Sequence, residues 1–346
     1  MTTTSPERAR SFAYNSLETT DAEQHSYAVS ECDHVYEQVE RGPFRGRITE
    51  LLLDSVHILR DQVFNPIGYA GPAWTGSHVF FSFLPSAGAA FLHGRQVGTN
   101  TILKYPRDHS LRAFCNGPID CVAISVKDDA VMEEAARRTG EEISTASLRQ
   151  ALYVPHAELV GRFQQCGAGM LAQVAEAPHL MDDLEWRRAV KQGVTQLLLE
   201  IIQSGTSAPQ KLPPPSTRAY IVDKAIEYMH AYPNSLPVLS DVCRVVRASP
   251  RTLRYSFEEI VGVSPGHYML SLRLRAVRRE LREGEGAIGI HRVAQRHGFN
   301  HMGRFALFYQ QAFGERPSDT CRHTSAASLV RQPRSAGTPS QRSRAG

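Results

Sequence analysis

Arg251, Arg254 and Tyr255 stand at i, i+3 and i+4 in the stretch ASPRTLRYSFEEIVGVSP, residues 248–265. At that spacing two guanidiniums and a phenol share one side of a helix. Arginine presents a fork of donors that matches the O6/N7 edge of guanine, and a helix about 10–12 Å across fits the major groove of duplex DNA. The chemistry within reach of these residues is recognition of base edges and phosphates, not bond making. The surrounding residues supply the rod. Ser249 is an N-cap whose hydroxyl can accept from a free amide of the first turn, and Pro250 follows at the first helical position, where its missing N–H costs nothing. Leu253, Phe257 and Val261 recur every four residues as a buried stripe. Gly262 sits where a C-terminal cap is wanted, and Pro265 opens the next helix.

The same pattern returns farther along the chain. Val242 and Cys243 correspond to Val293 and Ala294 at a separation of 51. Leu253, Phe257, Val261, Gly262 and Pro265 correspond to Phe305, Tyr309, Phe313, Gly314 and Pro317 at a separation of 52. The added residue falls in the turn of the second copy, near Asn300 and His301. A turn, an apolar spacing and a cap repeated together make a duplicated helix-turn-helix. Arg247 occupies the turn position of Gly298, so a turn that needs positive φ is strained in the first copy.

The elements that must position these helices lie in a chain of 346 residues, long enough for two or three domains. With 42% hydrophobic and 21% charged residues it has the composition of a soluble protein. No run of about 18 apolar residues occurs, and MTTTSPERARSFAYNS lacks the apolar core of a secretory signal. These features predict a cytoplasmic protein. Six scattered cysteines offer no CxxC and no zinc spacing; reduced thiols are expected, although Cys115 and Cys121 can face each other across a turn. Charge is uneven: residues 216–323 carry 16 basic and 10 acidic side chains, 324–346 carry four arginines and no acid, and 1–215 carry 19 basic against 25 acidic. Nucleic-acid contact is therefore expected of the back half.

Taken in order, residues 1–27 are polar, aperiodic and predicted to be disordered. Residues 28–203 form a front domain, for which the family resemblance given below implies ligand sensing and dimerisation. Its first part holds short apolar runs at roughly ten-residue intervals (48–53, 56–59, 78–85, 89–94, 100–106, 111–115 and 119–126), the signature of an antiparallel sandwich or small cupin-like barrel. A metal-dependent barrel enzyme needs several converging donors, whereas His57, His78, His93 and His109 are isolated and no HxH pair occurs. Trp74, Phe81, Phe83, Phe91 and Tyr105 line either a pocket or the core. The period then turns helical, with Leu159, Phe163, Met170 and Val174 on one helix and Val190, Val194, Leu197, Leu198 and Ile201 on another. This helical hairpin packs on its own barrel or forms a dimer seam. Residues 204–217 (SGTSAPQKLPPPST) are a Gly/Ser/Pro linker. Residues 218–323 form the two-motif domain, in which helix 265–283 carries Arg273, Arg275, Arg278, Arg279 and Arg282 and docks through Tyr268, Leu272 and Ala276, with Glu280 and Leu281 continuing the stripe. Residues 324–346 form a basic, disordered tail. The fold class is α+β multidomain, with an N-terminal antiparallel β sensor domain and a C-terminal all-α domain.

Residues 218–322, with SPRTLRYSF, RLRAVRREL and GFNHMGRFALFYQQAFGERPS, resemble the AraC family of bacterial transcription regulators. The resemblance implies sequence-specific binding of double-stranded DNA by both motifs, in neighbouring major-groove segments roughly 10 bp apart. Carried over by position, the base contacts are Arg251, Arg254 and Tyr255 in the first motif and Met302 and Gly303 in the second. Thr252, Arg273, Arg278, His301 and Arg304 are the expected phosphate contacts. Ala306 and Leu307 complete the reading side of the second motif, which departs from the polar residues common in the family: Met302 can touch a thymine methyl, but bidentate hydrogen bonds are missing. The first motif is therefore expected to discriminate and the second to add affinity. The resemblance is strongest to regulators of ethanolamine utilisation operons and extends to VYEQ and GPFRGRITELLLDSVHILR in the front domain. It implies activation of transcription, a homodimer, RNA polymerase as a partner, and ethanolamine with adenosylcobalamin as effectors. No DxHxxG corrinoid pattern is present, and another small polar metabolite, or no effector, remains open. A cupin-like enzyme with an accessory DNA-binding domain and an effector-independent DNA-binding protein are the alternatives; the missing metal cluster and the sensor-sized front domain respectively argue against them.

Overall fold

In a computed structural model the chain is described over residues 12–30, 34–40, 42–72, 76–86, 88–92, 95–104, 110–127, 152–154, 156–207, 216–231, 237–283 and 289–322, with 132–133, 136–137 and 140 besides. It divides into two compact units, Met1–Ser271 and Leu272–Gly346.

The first unit opens with β1 (Phe12–Thr19), α1 (Ala22–Ala28), β2 (Val35–Gln38), β3 (Gly46–Leu53), β4 (Val56–Val63), β5 (Ile67–Pro72) and β6 (Ser77–Phe83). It continues with β7 (Ala90–Leu92), β8 (Arg95–Val97), β9 (Ile102–Lys104), β10 (Ser110–Cys115), β11 (Ile119–Lys127) and β12 (Leu152–Val154). Then come α2 (Ala157–Glu176) and α3 (Leu184–Ser207). The strands form a seven-stranded sheet, β1-β3-β4-β11-β6-β9-β12, and a five-stranded sheet, β2-β5-β10-β7-β8. Every pairing among the described strands is antiparallel.

Side-chain alternation sorts the larger sheet into two cores. Ile48, Leu59, Val79, Phe81, Phe83 and Ala123 meet Tyr36, Ile67, Leu92 and Ala113 of the smaller sheet. Leu51, Ile58, Phe80, Val122 and Ile124 meet Phe163, Leu171, Val174, Val194 and Leu198 of α2 and α3. A sheet covered on both faces needs continuous apolar strands, and all seven residues of β6 are buried. The hairpin helices thus spend their apolar stripes on their own sheet. At Gly167 an added Cβ would lie 2.2 Å from Val122 Cγ1, so α2 presses directly onto β11.

Three expectations are corrected. The N-terminus is ordered from Phe12: β1 pairs with β3 along its whole length, from Phe12↔Leu53 to Thr19↔Gly46. Asp21 caps α1, and Thr19 Oγ1 lies 2.7 Å from Nδ1 of buried His25, whose Nε2 is 2.9 Å from Asp61. An edge strand with one wet face is polar enough to look unstructured, and its partners lie 27 to 41 residues away in sequence. The hairpin reaches Ser207, beyond the expected boundary at 203; residues 208–215, 1–11 and the basic tail from 323 onward lie outside the described residues. The division into compact units also falls not at the linker but inside the helix Pro265–Glu283.

The barrel candidates resolve mostly into core. Phe81, Phe83 and Phe91 are buried, as are His57 and His78; Trp74, Tyr105, His93 and His109 lie outside the described residues. Among the described residues no group of three or more His, Cys, Asp or Glu side chains could hold a metal ion. Cys115 and Cys121 are free, and burial, with the Asp61 carboxylate nearby, pushes both thiols up. His57 Nε2 lies 3.1 Å from Glu50, which also accepts from the Asn15 amide at 3.1 Å and from both the amide and the hydroxyl of Ser30. No helix of the described residues is long and apolar enough to cross a membrane.

Candidate nucleic-acid interface

The first helix pair belongs to the first unit. Behind α4 (Thr217–Ala231) come α5 (Leu239–Val246), α6 (Pro250–Ile260) and α7 (Pro265–Glu283). The α5–α6 turn is made by Arg247, left-handed at φ 52° and ψ 41°, with the Ala248 amide donating to the Cys243 carbonyl at 3.1 Å. In the second unit, Gly298 holds φ 81° between α8 (Ile290–Arg296) and α9 (Met302–Phe313), and the Phe299 amide donates to the Ala294 carbonyl at 3.0 Å. The two turns are copies, and the first is built on a residue that carries a Cβ penalty.

On α6 the Ser249 hydroxyl accepts from the Thr252 amide at 3.1 Å, with Pro250 at the first position. Leu253, Phe257, Ile260 and Val261 are buried. Gly262 closes the helix at φ 83°, where an added Cβ would meet the Asn116 carbonyl at 3.2 Å. Arg251, Thr252, Arg254 and Tyr255 all face solvent. They are organised rather than loose. Arg254 Nε donates to Glu258 at 2.8 Å, and the Arg251 guanidinium sits 5.5 Å above the Tyr255 ring. The Glu258 carboxylate escaped the sequence reading, although its i+4 spacing from Arg254 is a legible signal.

This pair of helices is fixed to the smaller sheet. The fully buried Tyr268 donates its hydroxyl to Glu37 at 3.0 Å and lies 3.0 Å from His230 Nε2. The Asn116 amide donates to the Glu259 carbonyl at 2.9 Å. Nothing local in the sequence announces this contact, because Glu37 and Tyr268 are 231 residues apart.

The second unit holds the rest. The stripe of α7 runs through Leu274, Val277 and Leu281, not through Leu272, Ala276 and Glu280. Apolar residues two apart offer either side of this helix, and the packing selects one. Glu280 instead meets Arg296 at 2.7 Å and His297 at 2.8 Å. Arg278 is turned inward: Nε and Nη2 donate to Glu315 at 3.1 and 2.9 Å, and the guanidinium lies 4.5 Å over the Phe313 ring. Its side chain is 11% exposed, so it sits among the unit's own residues rather than on the surface where a phosphate would meet it. Arg273 is half-buried, and burial lowers its pKa.

On α9, Phe305 and Tyr309 are buried, Met302 is half-buried, and Gly314 caps the end at φ 71°. His301, Gly303, Arg304, Ala306 and Leu307 are exposed. His301 occupies the cap position without a side-chain cap bond. The structure therefore gathers Arg251, Thr252, Arg254 and Tyr255 on one exposed helix side. It gathers His301, Gly303 and Arg304 at the exposed start of another, with Met302 partly covered.

Residues 242–323 match the family described as "Helix-turn-helix domain". The chain is 35% identical over 103 residues to the "Probable thc operon regulatory protein" of Rhodococcus erythropolis, covering 30% of this chain and 31% of that one. It is 38% identical over 85 residues to the "XylDLEGF operon transcriptional activator" of Pseudomonas putida, covering 24% and 26%. The chain thus spans about a third or less of the length of these relatives. Among solved structures, a probable AraC family transcriptional regulator from Rhodopseudomonas palustris shares 26% identity over 30% of this chain and 96% of its own, with a TM-score of 0.29. The AraC-like activator CuxR shares 13% over 81% and 99%, with a TM-score of 0.38. The matched stretch, residues 242–323, contains both turns, both outer helices and the arginine-rich helix between them, and is similar to that helix-turn-helix domain.

Proposed function

We propose that this chain is a transcription regulator that binds double-stranded DNA through α6 and α9 and responds to a small molecule taken up by its β domain. The observation that carries the reading is the outward side of α6, where two arginines and a tyrosine are exposed and held in place by Glu258 and by one another. A pre-ordered guanidinium loses less freedom on meeting a guanine edge, and each good pair discriminates by about 1–3 kcal/mol. Arg251, Arg254 and Tyr255 are the proposed base contacts of the first motif, with Met302 and Gly303 in the second. Thr252, Arg273, His301 and Arg304 are the proposed phosphate contacts, and Arg278 drops from that set because of its pairing with Glu315. Activation is the proposed sense, since the P. putida relative is named an activator.

Binding-site selection from random duplexes followed by footprinting tests the reading. Arg251→Ala is expected to relax the preference at one base pair while leaving binding to mixed DNA intact; an unchanged preference removes Arg251 from the base-reading set. For the effector, the resemblance of residues 35–60 to the ethanolamine regulators makes ethanolamine with adenosylcobalamin the first pair to titrate. A rise in melting temperature of the full chain supports it, and a flat response turns the search to other small polar metabolites.

A further inference from the structure

The two reading helices carry different chemistry at equivalent positions. With the repeat separation of 52, Arg251 corresponds to Gly303, Arg254 to Ala306 and Tyr255 to Leu307. Tyr255 is 50% exposed and Leu307 52%, so the same helix position presents a large apolar group to solvent in both copies. Toward the start of the helix the positions next to Leu307 are stubs, while Arg304, Gln310 and Gln311 flank it. Gly303, one turn before it, is exposed, and a Cβ added there would meet nothing within 4 Å; Ala306 is exposed beside it. The helix 302–313 contains no carboxylate, and residues 272–323 hold ten arginines against five acids. Its surroundings favour a polyanion over an acidic or neutral protein partner.

From this we infer that Leu307 reads the C5-methyl group of a thymine in the major groove. The inference rests on the DNA-binding reading above and names what the second motif recognises. Base edges offer donors, acceptors and one apolar feature, the pyrimidine C5-methyl. Glycine, alanine and leucine side chains can neither donate nor accept, so the methyl is the feature open to them. The small residues at 303 and 306 bring the helix backbone close to the groove floor, where the branched end of Leu307 covers the methyl. An arginine at either position would hold the helix farther out. Arg304, exposed on the flank, is placed for the adjacent phosphate. 5-Methylcytosine carries the same methyl in the same groove and is the other source of this chemistry.

The test uses the full chain and a duplex selected by it from random sequence. Each thymine of the half-site protected by the second motif is replaced in turn by deoxyuridine, which removes the methyl and nothing else. One such replacement is expected to weaken binding about fourfold, the effect of uncovering a single methyl group. In Leu307→Ala that replacement has no effect, while Leu307→Met keeps it. Since residue 307 faces solvent, unchanged melting temperatures are expected for both variants. Cytosine at the sensitive position should bind as weakly as uracil, and 5-methylcytosine should recover part of the loss; recovery beyond thymine would reassign the site to methylated cytosine and overturn the thymine assignment. Binding that is indifferent to every uracil, or equally uracil-sensitive in Leu307→Ala, overturns the inference while leaving the regulator reading in place. Failure to select any duplex overturns both.

Discussion

Glu50 shows how a single buried side chain can carry a pH dependence. Burial by itself would raise its carboxyl, but hydrogen bonds from His57, Ser30 and Asn15 outweigh that and hold it down to about 2. A carboxyl depressed on folding stabilises the native state above its unfolded value near 4.5, and the contribution is lost as pH falls toward 2. On the order of 3 kcal/mol is at stake. Glu50→Gln is therefore expected to flatten the loss of stability between roughly pH 4.5 and 2 in denaturant titrations; an unaltered slope would place that loss elsewhere. Arg247 is the second instructive residue. Its left-handed backbone at φ 52° costs a side-chain-bearing residue about 1 kcal/mol, and the matching turn uses glycine. Arg247→Gly should raise the melting temperature in calorimetry, and an unchanged value would mean the turn carries no strain.

Among the elements, α6 is supported twice: from within by its cap and buried stripe, and from outside by the smaller sheet. Tyr268 concentrates the second support, since its hydroxyl donates to Glu37 at 3.0 Å and lies 3.0 Å from His230 Nε2. Tyr268→Phe keeps the ring and leaves Glu37 without that donor, at a cost of about 1–3 kcal/mol. Calorimetry should show it as a lower melting temperature of the full chain, whereas no change would mean the contact contributes nothing in solution. Helix α7 teaches the limit of local pattern. Its ends were legible from Pro265 and the arginine-rich run, but the side it buries was not, because Leu272 and Leu274 propose different stripes and only the packing of Leu274, Val277 and Leu281 decides.

For the molecule as a whole, the basic back half and acidic front half point the electrostatics of the proposed DNA binding toward residues 216–323. Salt titration separates arginines that touch phosphate from those that hold the fold. Arg304→Ala should lower the log–log salt slope by about 0.9, one phosphate's share. Arg278→Ala should instead reduce stability, because it leaves Glu315 without its guanidinium, and its effect on the slope at temperatures well below melting should be small. A slope change for Arg278→Ala without loss of stability would restore it to the phosphate set.

By itself the sequence determined what is local: the capped helix 250–260, its repeat 52 residues later, the strand runs and the helical hairpin. Caps, turns and apolar periods act over a few residues, so they survive being read one stretch at a time. Tertiary structure decided what depends on distant partners: the ordering of β1 against β3, the inward turn of Arg278, the stripe of α7 and the Glu37–Tyr268 contact. Each of these is fixed by a residue with no neighbourly relation in the chain, and only the folded chain brings the pair within van der Waals or hydrogen-bonding reach.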